Sequence, residues 1–185
     1  MDDLEDAELW PRVIDGDGRA FTAVFDRHRI RVHRHSLGLV ARPVDAEDVL
    51  AVTFFEAWRR RERIRFVDGS LLPWLLVTAT NTARNVTRST KRYQRLLARL
   101  PPPNPVADPA DSVDDGVASA ALARLRLVDQ EILTLCVILD LSERDAALVL
   151  GVSPGTVKSR LHRAKSRMRE HIDRPGELFI EGAPS

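Results

Sequence analysis

The sequence predicts an all-α protein, with two small helical domains joined by a flexible linker rich in Pro and Asp. Apolar residues recur at helical spacings on both sides of residues 101–116, and no stretch shows a convincing strand alternation. The segment between them, PPPNPVADPADSVDDG, has too few large apolar residues to build a core. We therefore expect domains at 1–100 and 119–172, a linker at 101–118 and a flexible tail at 173–185.

Charge is distributed unevenly along the chain. The 185 residues carry 28 Lys and Arg against 27 Asp and Glu. Yet residues 69–107 contain no acid, and the N-terminus up to Glu8 contains no base. An acidic N-terminus is unlike a secretory signal, and no apolar run approaches the ~20 residues of a membrane span. We expect a cytoplasmic protein with no membrane contact, and its single cysteine, Cys136, excludes an internal disulfide.

The first domain is expected to consist of helices. One covers AFTAVFDRHRIRVHRHSLGLV, and a second covers DAEDVLAVTFFEAWRRRERI with Asp45 as its N-cap and acids in its first turn. A third covers SLLPWLLVTATNTARNVTRSTKRYQRLLARL, where Pro73 fits a first helical turn. This third helix is apolar at its start and basic further on.

The second domain is predicted to contain four helices, with breaks near Leu127, near Asp140 and at Gly151. Ser142 can cap a short helix, and Gly151 can take the left-handed conformation of a tight turn. Ser153 and Pro154 then suit the start of a longer basic helix. A short helix, a tight turn and a longer basic helix form the helix-turn-helix pattern of DNA-binding proteins.

The last helix is amphipathic when successive residues are advanced by 100°. Its apolar arc contains Val157, Leu161, Ala164, Met168 and Ile172. The opposite face contains Gly155, Ser159, His162 and Ser166, and is flanked by Lys158, Arg163 and Arg169. We expect the polar face to point outward, with base edges within reach of its N-terminal half.

Three segments resemble one family in the expected order. GVSPGTVKSRLHRAKSRMRE is similar to the last helix of bacterial sigma factors, and the small extracytoplasmic-function (ECF) type is the best match. DAEDVLAVTFFEAWRR resembles the helix of that family that docks on the RNA polymerase clamp. PWLLVTATNTARNVTRSTKR resembles its promoter-melting helix. The resemblance implies a promoter-directing subunit, with region 2 in the first domain and region 4 in the second.

The resemblance also implies which residues act. Upstream promoter contacts fall on Thr156, Lys158, Ser159, Arg160, His162 and Arg163, with Arg160 and Thr156 assigned to phosphate. Melting-region contacts fall on Trp74, Asn81, Arg84, Asn85, Arg88, Lys91 and Arg92, with the two asparagines at a flipped base. Polymerase contacts fall on Asp45, Asp48, Val49, Val52, Phe55 and Glu56. Trp74 has an alternative place in the core, and both asparagines have one as ordinary exposed polar residues.

The partners implied by the resemblance are the clamp and flap regions of core polymerase, promoter DNA and an anti-sigma factor. The protein is expected to be a monomer outside that complex. In the family the linker runs toward the active-site channel of the polymerase, whereas the plain alternative is a soluble tether. Ala51 and Val52 depart from the usual Gln-Glu or Ala-Glu, and the missing acid is expected to weaken or alter one polymerase contact. LRLVDQE replaces a usual Leu-Pro opening, and the tail DRPGELFIEGAPS matches nothing we can assign.

Two other classes of function compete with this interpretation. A stand-alone helix-turn-helix repressor or activator explains the C-terminal domain alone and predicts a dimer on paired half-sites. A nucleic-acid enzyme needs clustered carboxylates or metal ligands, whereas the acids here fall in helix starts, the linker and the N-terminus. We therefore expect no catalytic residue, no metal and no cofactor.

Overall fold

The structure is a computed structural model that describes residues 4–97, 121–122 and 124–173, with the backbone alone for residues 90–97. These residues contain seven α-helices and no β-strand. The helices are α1 Asp6–Ile14, α2 Gly18–Leu37, α3 Pro43–Arg59, α4 Leu72–Leu97, α5 Leu127–Leu133, α6 Glu143–Leu150 and α7 Pro154–Asp173. The predicted linker 101–118 and residues 174–185 of the predicted tail lie outside the described residues.

Helices α1 to α4 pack around one apolar core, which confirms the predicted helical character of this part of the chain. Val24, Val49 and Leu75 are completely buried where α2, α3 and α4 meet. An aromatic cluster extends this core, with the rings of Phe25 and Phe54 centred 4.7 Å apart in an edge-on arrangement. Such edge-on pairs add about 1 kcal/mol beyond their burial.

Helix α1 was not predicted, although its sequence carries a signal. Glu5 and Glu8 form a reciprocal capping box at its start, and Leu9 and Val13 lie four residues apart on its buried face. Sequence analysis treated the acidic residues here only as part of the charge distribution. Asp6, however, is 2% exposed and forms an internal contact. The carboxylate of Asp6 accepts hydrogen bonds from the Leu71 amide at 2.7 Å, His28 Nε2 at 2.6 Å and Arg27 Nη1 at 2.7 Å.

Opposing effects act on the pKa of Asp6. Burial raises the pKa, but the hydrogen bonds from His28, the Leu71 amide and Arg27, together with the charge of His28, lower it by more. The pKa of Asp6 therefore lies below its ordinary value. The charged carboxylate ties α1 to α2 and to the start of α4.

The predicted N-cap of α3 was wrong. The helix begins at Pro43, with Arg42 in the cap position, so Asp45 lies in the first turn instead of preceding it. Glu47 and Asp48 consequently fall in the second turn. Pro43 sets the start because its ring fixes the φ of a first helical residue and needs no amide partner there. Asp45 is 5% exposed and pairs with Arg42.

Helix α4 confirms the prediction made for the ambiguous stretch LLVTAT, which is helical throughout. Pro73 lies in the first turn, as predicted. Small buried residues, Ala79 and Ala83, line the packed side of this helix. Thr80 and Thr82 are buried beside them, whereas Asn85 and Arg88 are exposed.

The second helical unit is built from α5, α6 and α7, and the predicted breaks near Leu127, near Asp140 and at Gly151 are confirmed. A π-helical segment, Thr134–Ile138, follows α5. The chain turns shortly after this segment at Asp140, which has a φ of 53°. Cys136 lies in this segment and is half-buried, and burial raises the pKa of its thiol.

The two units contact each other. Helix α4 packs against α5 and the π-helical segment. Arg65, in the loop before α4, donates to the carbonyl of Leu148 in α6 at 3.0 Å. Within the described part of the chain, no helix has both the length and the apolar character needed to cross a membrane.

Candidate nucleic-acid and polymerase interfaces

The turn between α6 and α7 is determined locally by the sequence, as predicted. Ser142 Oγ accepts from the Asp145 amide at 3.1 Å and caps α6. Gly151 ends α6 with a φ of 66°, a conformation that costs little only for glycine. Ser153 Oγ accepts from the Thr156 amide at 3.2 Å and caps α7. These contacts fix the angle at which α7 leaves the turn.

Helix α7 presents a polar face to solvent. Val157 and Ala164 are completely buried, and Leu161 and Met168 pack against the same core, whereas Ile172 is 40% exposed. Of the predicted upstream contacts, the exposed ones are Lys158, Ser159, His162 and Arg163, and the half-buried ones are Thr156 and Arg160. The exposed set shares the N-terminal half of α7, which is the part of such a helix that reaches base edges.

A salt bridge holds α7 against its own domain. Asp129 in α5 is 2% exposed and accepts from Arg167 Nη1 at 2.7 Å. Sequence analysis did not single out either residue, because the pairing spans 38 positions and leaves no local pattern. The ion pair lies on the side of α7 that faces α5, so Arg167 is occupied by an internal contact.

Helix α4 contributes the polar side of an open groove with a volume of about 680 Å³. Two of the predicted melting residues, Asn81 and Asn85, both line it, one turn apart. The lining residues from α4 are Thr78, Asn81, Thr82, Asn85, Val86 and Ser89, and those from α3 and its end are Val52, Glu56 and Arg60. The structure therefore brings both asparagines to one groove beside α3.

Asn81 and Asn85 differ in their surroundings. Asn85 is exposed. Asn81 is half-buried, and its Nδ2 donates to Val77 O and to Glu131 Oε1, each at 2.9 Å. Glu131 belongs to α5, so this contact crosses between the two units. Sequence analysis missed Glu131 because no spacing in the chain relates it to Asn81.

Charged groups of both units influence Glu131. Burial raises its pKa, while the hydrogen bond from Asn81 and the charges of Arg160 and Arg84 act in the opposite direction and only partly offset the burial. Arg160 comes from α7 and Arg84 from α4. Residues predicted for upstream reading and for melting therefore both interact electrostatically with one carboxylate.

Trp74 combines its two predicted alternatives. It is half-buried and packs against the core, and it also lines a second open cleft of about 520 Å³. The other lining residues are Arg59, Arg60, Glu62 and Arg63, which sequence analysis did not assign to DNA. The run RRRER, residues 59–63 at the end of α3, carried the signal as a dense set of cations in the chain before the melting helix. Arg60 lines both this cleft and the asparagine groove.

The remaining predicted melting residues continue along α4. Arg88 is exposed and Arg84 is half-buried. Lys91 and Arg92 lie on the helical backbone of α4, but their side chains are outside the described residues.

The predicted polymerase residues separate into exposed and buried groups. Phe55 is 63% exposed, and Val52 is 43% exposed on the same helix. Asp48 is exposed, and Glu56 is half-buried and pairs with Arg59 and Arg60. Asp45 and Val49 are buried, and Val49 has no exposed surface to offer a partner. Val44, which was not predicted, is 54% exposed near the start of α3.

Within the described residues, no group of three or more His, Cys, Asp or Glu side chains is arranged to hold a metal ion. The candidate functional side chains are instead exposed cations, amides and apolar groups on three helices. Such an arrangement is suited to binding nucleic acid and protein surfaces.

A helix-turn-helix unit joined to a helical unit with an amide-lined groove is an arrangement typical of a DNA-binding transcription factor. Two family models match this chain and identify the family of transcription factors. The model described as "Sigma-70 region 2" matches residues 24–93, and the one described as "Sigma-70, region 4" matches residues 117–168.

Relatives along nearly the whole chain support the same conclusion. The RNA polymerase sigma factor CarQ of Myxococcus xanthus is 30% identical over 176 residues, covering 93% of this chain and 98% of CarQ. The ECF RNA polymerase sigma factor SigM of Mycobacterium tuberculosis is 32% identical, covering 88% of this chain and 82% of SigM. The solved structure of the sigma factor RpoE of Bartonella quintana, in complex with the anti-sigma factor NepR, is similar with a TM-score of 0.53. The RpoE chain is 26% identical to this one. The similarity covers 91% of the RpoE chain and 78% of this chain.

The chain belongs to the ECF group of the sigma-70 family. Its function is that of a sigma factor, which directs core RNA polymerase to promoters. Sigma factors are transcription-initiation factors without enzymatic activity of their own. The stand-alone helix-turn-helix regulator is not favoured, because such a protein does not account for the region 2 match.

Proposed function

We propose that this sigma factor divides its work between three surfaces. The exposed N-terminal half of α7 reads the upstream promoter element through Lys158, Ser159, His162 and Arg163. The groove between α3 and α4 holds the opened strand, with a flipped base at Asn81 and Asn85. The exposed face of α3 binds core polymerase. We assign region 2 to residues 1–100, the linker to 101–118 and region 4 to 119–172.

The observation that carries the upstream assignment is the separation of faces on α7. Val157 and Ala164 are fully buried on one side, while Lys158, His162 and Arg163 are exposed on the other. A helix held this way can enter the major groove without losing its core contacts. We assign phosphate contacts to Thr156 and Arg160, which are half-buried at the edge of that face.

The groove supports the melting assignment by its chemistry. A strand stays open when an extruded base is captured by hydrogen bonds and the backbone is held by cations. The two asparagines supply amide donors and acceptors, and Arg60 lies on the wall beside them. We assign the backbone contacts to Arg84, Arg88, Lys91 and Arg92, and an aromatic contact to Trp74.

The α3 face supports the polymerase assignment because it is apolar and exposed. The side chains of Phe55 and Val52 lie on the surface of α3 and are exposed in the monomer. Aromatic side chains in such positions often contribute most to an interface. We include Asp48 and Glu56 in this surface, and leave out Asp45 and Val49, whose side chains are buried.

We also propose a cytoplasmic protein, monomeric outside the complex and without catalytic activity. An anti-sigma factor is a proposed partner, because the similar RpoE structure contains one. Such a partner would cover the same α3 face that polymerase needs.

The test is run-off transcription with bacterial core polymerase and genomic promoter fragments, with and without the protein. We expect protein-dependent transcripts from discrete starts. Arg163→Ala should abolish most of this transcription on duplex promoters, while Arg169→Ala, which removes an equal charge from an exposed site further along α7, should retain it. Asn81→Ala should lose activity on duplex but recover it on templates that are already open at the start-proximal element.

Polymerase binding is measured separately, by competition of the purified protein against another sigma factor for core enzyme. Phe55→Ala should weaken binding about tenfold or more, as for a central aromatic contact. Absence of both transcription and core binding by the unmodified protein would refute the proposed division of surfaces.

A further inference from the structure

We propose that Glu131 is an intramolecular latch, through which region 4 covers the Asn81 edge of the melting groove until polymerase or promoter DNA separates the two units. This inference rests on the proposed function of α4 in strand opening. It adds a regulatory contact that the sigma factor's own C-terminal unit supplies.

The first observation is that the contact occupies a group that the proposed mechanism needs. Asn81 Nδ2 donates to Glu131 Oε1 at 2.9 Å and to Val77 O at the same distance. An amide nitrogen has two donors, so both are used in this arrangement. A base entering at Asn81 finds no free N–H unless the Glu131 contact breaks.

The second observation is the charge of the group that makes the contact. The charges of Arg84 of region 2 and Arg160 of region 4 both act on the Glu131 carboxyl group. The proposed roles of both arginines are contacts to DNA phosphates. Because the charges of both arginines act on this carboxylate, it offsets part of the positive potential that attracts the backbone of DNA. Closing therefore reduces the affinity of both proposed DNA surfaces at once.

The third observation is that the closed arrangement has independent support away from Glu131. Arg65 Nη1 donates to the Leu148 carbonyl at 3.0 Å, which joins the loop before α4 to the C-terminal turn of α6. On another side, Leu76 of α4 and Leu139 after the π-helical segment line one cleft with His35. Polar and apolar contacts both contribute to this interface, the apolar ones through buried Leu76 of α4 and the half-buried Leu139.

The energetic consequence follows from population arithmetic. When only a fraction of the molecules is open, the apparent affinity for single-stranded DNA falls by that fraction. A ligand that binds only the open form shifts the population toward it. Loss of one charge-assisted hydrogen bond with its neighbouring cations changes such a population by roughly tenfold.

The experiment compares Glu131→Ala with Glu170→Ala in the full chain. Both variants remove one negative charge from region 4, but Glu170 is exposed near the end of α7 and is absent from every interdomain contact described above. Two measurements are made without polymerase. One is the distance between spin labels placed at the exposed positions Asp26 and Ser166, in a background where Cys136→Ala removes the native thiol. The other is the affinity for a fluorescein-labelled single-stranded oligodeoxynucleotide of mixed sequence at fixed salt.

We expect Glu131→Ala to broaden and lengthen the label distances and to bind the oligonucleotide about tenfold more tightly than Glu170→Ala. Asn81→Asp provides a second variant, because it places two carboxylates against each other and should open the units by the distance measurement alone. Circular dichroism establishes that each variant is folded. Equal distances and equal DNA affinity in Glu131→Ala and Glu170→Ala, with a closed Asn81→Asp, would overturn the latch.

Failure of the latch and failure of the proposed function are distinguishable. The distance measurement needs neither DNA nor polymerase, so it reports the latch alone. Run-off transcription by the unmodified protein reports the function alone.

Discussion

Asp6 provides the sharpest test of what holds region 2 together. Its carboxylate is 2% exposed and accepts from the Leu71 amide, His28 and Arg27. In Asp6→Ala, the Leu71 amide and His28 remain buried without this acceptor, whereas the partly exposed Arg27 can turn to water. Each buried donor left unsatisfied costs about 1–3 kcal/mol, and breaking a buried ionic contact costs about 3–5 kcal/mol. We therefore expect Asp6→Ala to lower the free energy of unfolding by about 4 kcal/mol.

The assay is equilibrium urea unfolding of the full chain followed by circular dichroism at neutral pH. Asp6→Asn should lower the free energy of unfolding by about half as much as Asp6→Ala, since the amide oxygen of the new side chain remains a hydrogen-bond acceptor. Asp15→Ala is the control, because Asp15 is exposed at the end of the same helix, and it should change stability by less than about 0.5 kcal/mol. A loss below about 1 kcal/mol in Asp6→Ala would show that water replaces the carboxylate, and the reasoning from burial would be refuted.

The same carboxylate predicts a pH dependence. Because the folded-state pKa of Asp6 is lowered from its ordinary 3.8, its contribution is complete above that value and is lost as pH falls through the folded-state pKa. The stability difference between the unmodified protein and Asp6→Ala should therefore be constant at neutral pH and shrink in acid below the ordinary value. A difference that grows on acidification would contradict the sign.

Three further predictions concern other parts of the chain. Burial lowers the pKa of His35 from 6.5 to about 4. The free energy of unfolding should therefore decrease by about 3 kcal/mol as pH falls from above 6.5 to about 4. His35→Gln should remove that component from the pH profile of unfolding. Gly151→Ala should cost about 1–2 kcal/mol in thermal or urea unfolding because its φ of 66° disfavours a side chain, whereas Gly155→Ala, within helix α7 at an ordinary φ, should not destabilise. Arg167→Ala should cost about 3 kcal/mol by leaving the buried Asp129 carboxylate without its cation, and an unchanged urea midpoint would show that the pair is neutral in energy.

The parts predicted correctly from the sequence are those that depend on neighbours in the chain. Ser142, Gly151 and Ser153 act within a few residues of themselves, so the turn between α6 and α7 follows from local rules. The outward face of α7 was likewise predicted locally, by advancing successive helical residues by 100°. Family resemblance supplied the functional meaning of these elements.

The parts that were missed depend on pairs far apart in sequence. Asp6 finds its partners 22 and 65 residues away, and Asn81 finds Glu131 after 50. No periodicity encodes such pairs, because they arise only once helices have packed. The error at Asp45 was local but had a specific cause, since Pro43 two residues earlier is the stronger helix-starting signal.

The separation of faces on α7 also bears on how such proteins diverge. Lys158 and His162 have solvent-exposed side chains, and the helix is held in place by Val157, Ala164 and the Arg167 pair on its other side. Substitutions at the exposed positions therefore cost the fold almost nothing. Under the proposed function, a lineage can change which genes this factor controls one base contact at a time, without passing through an unstable protein.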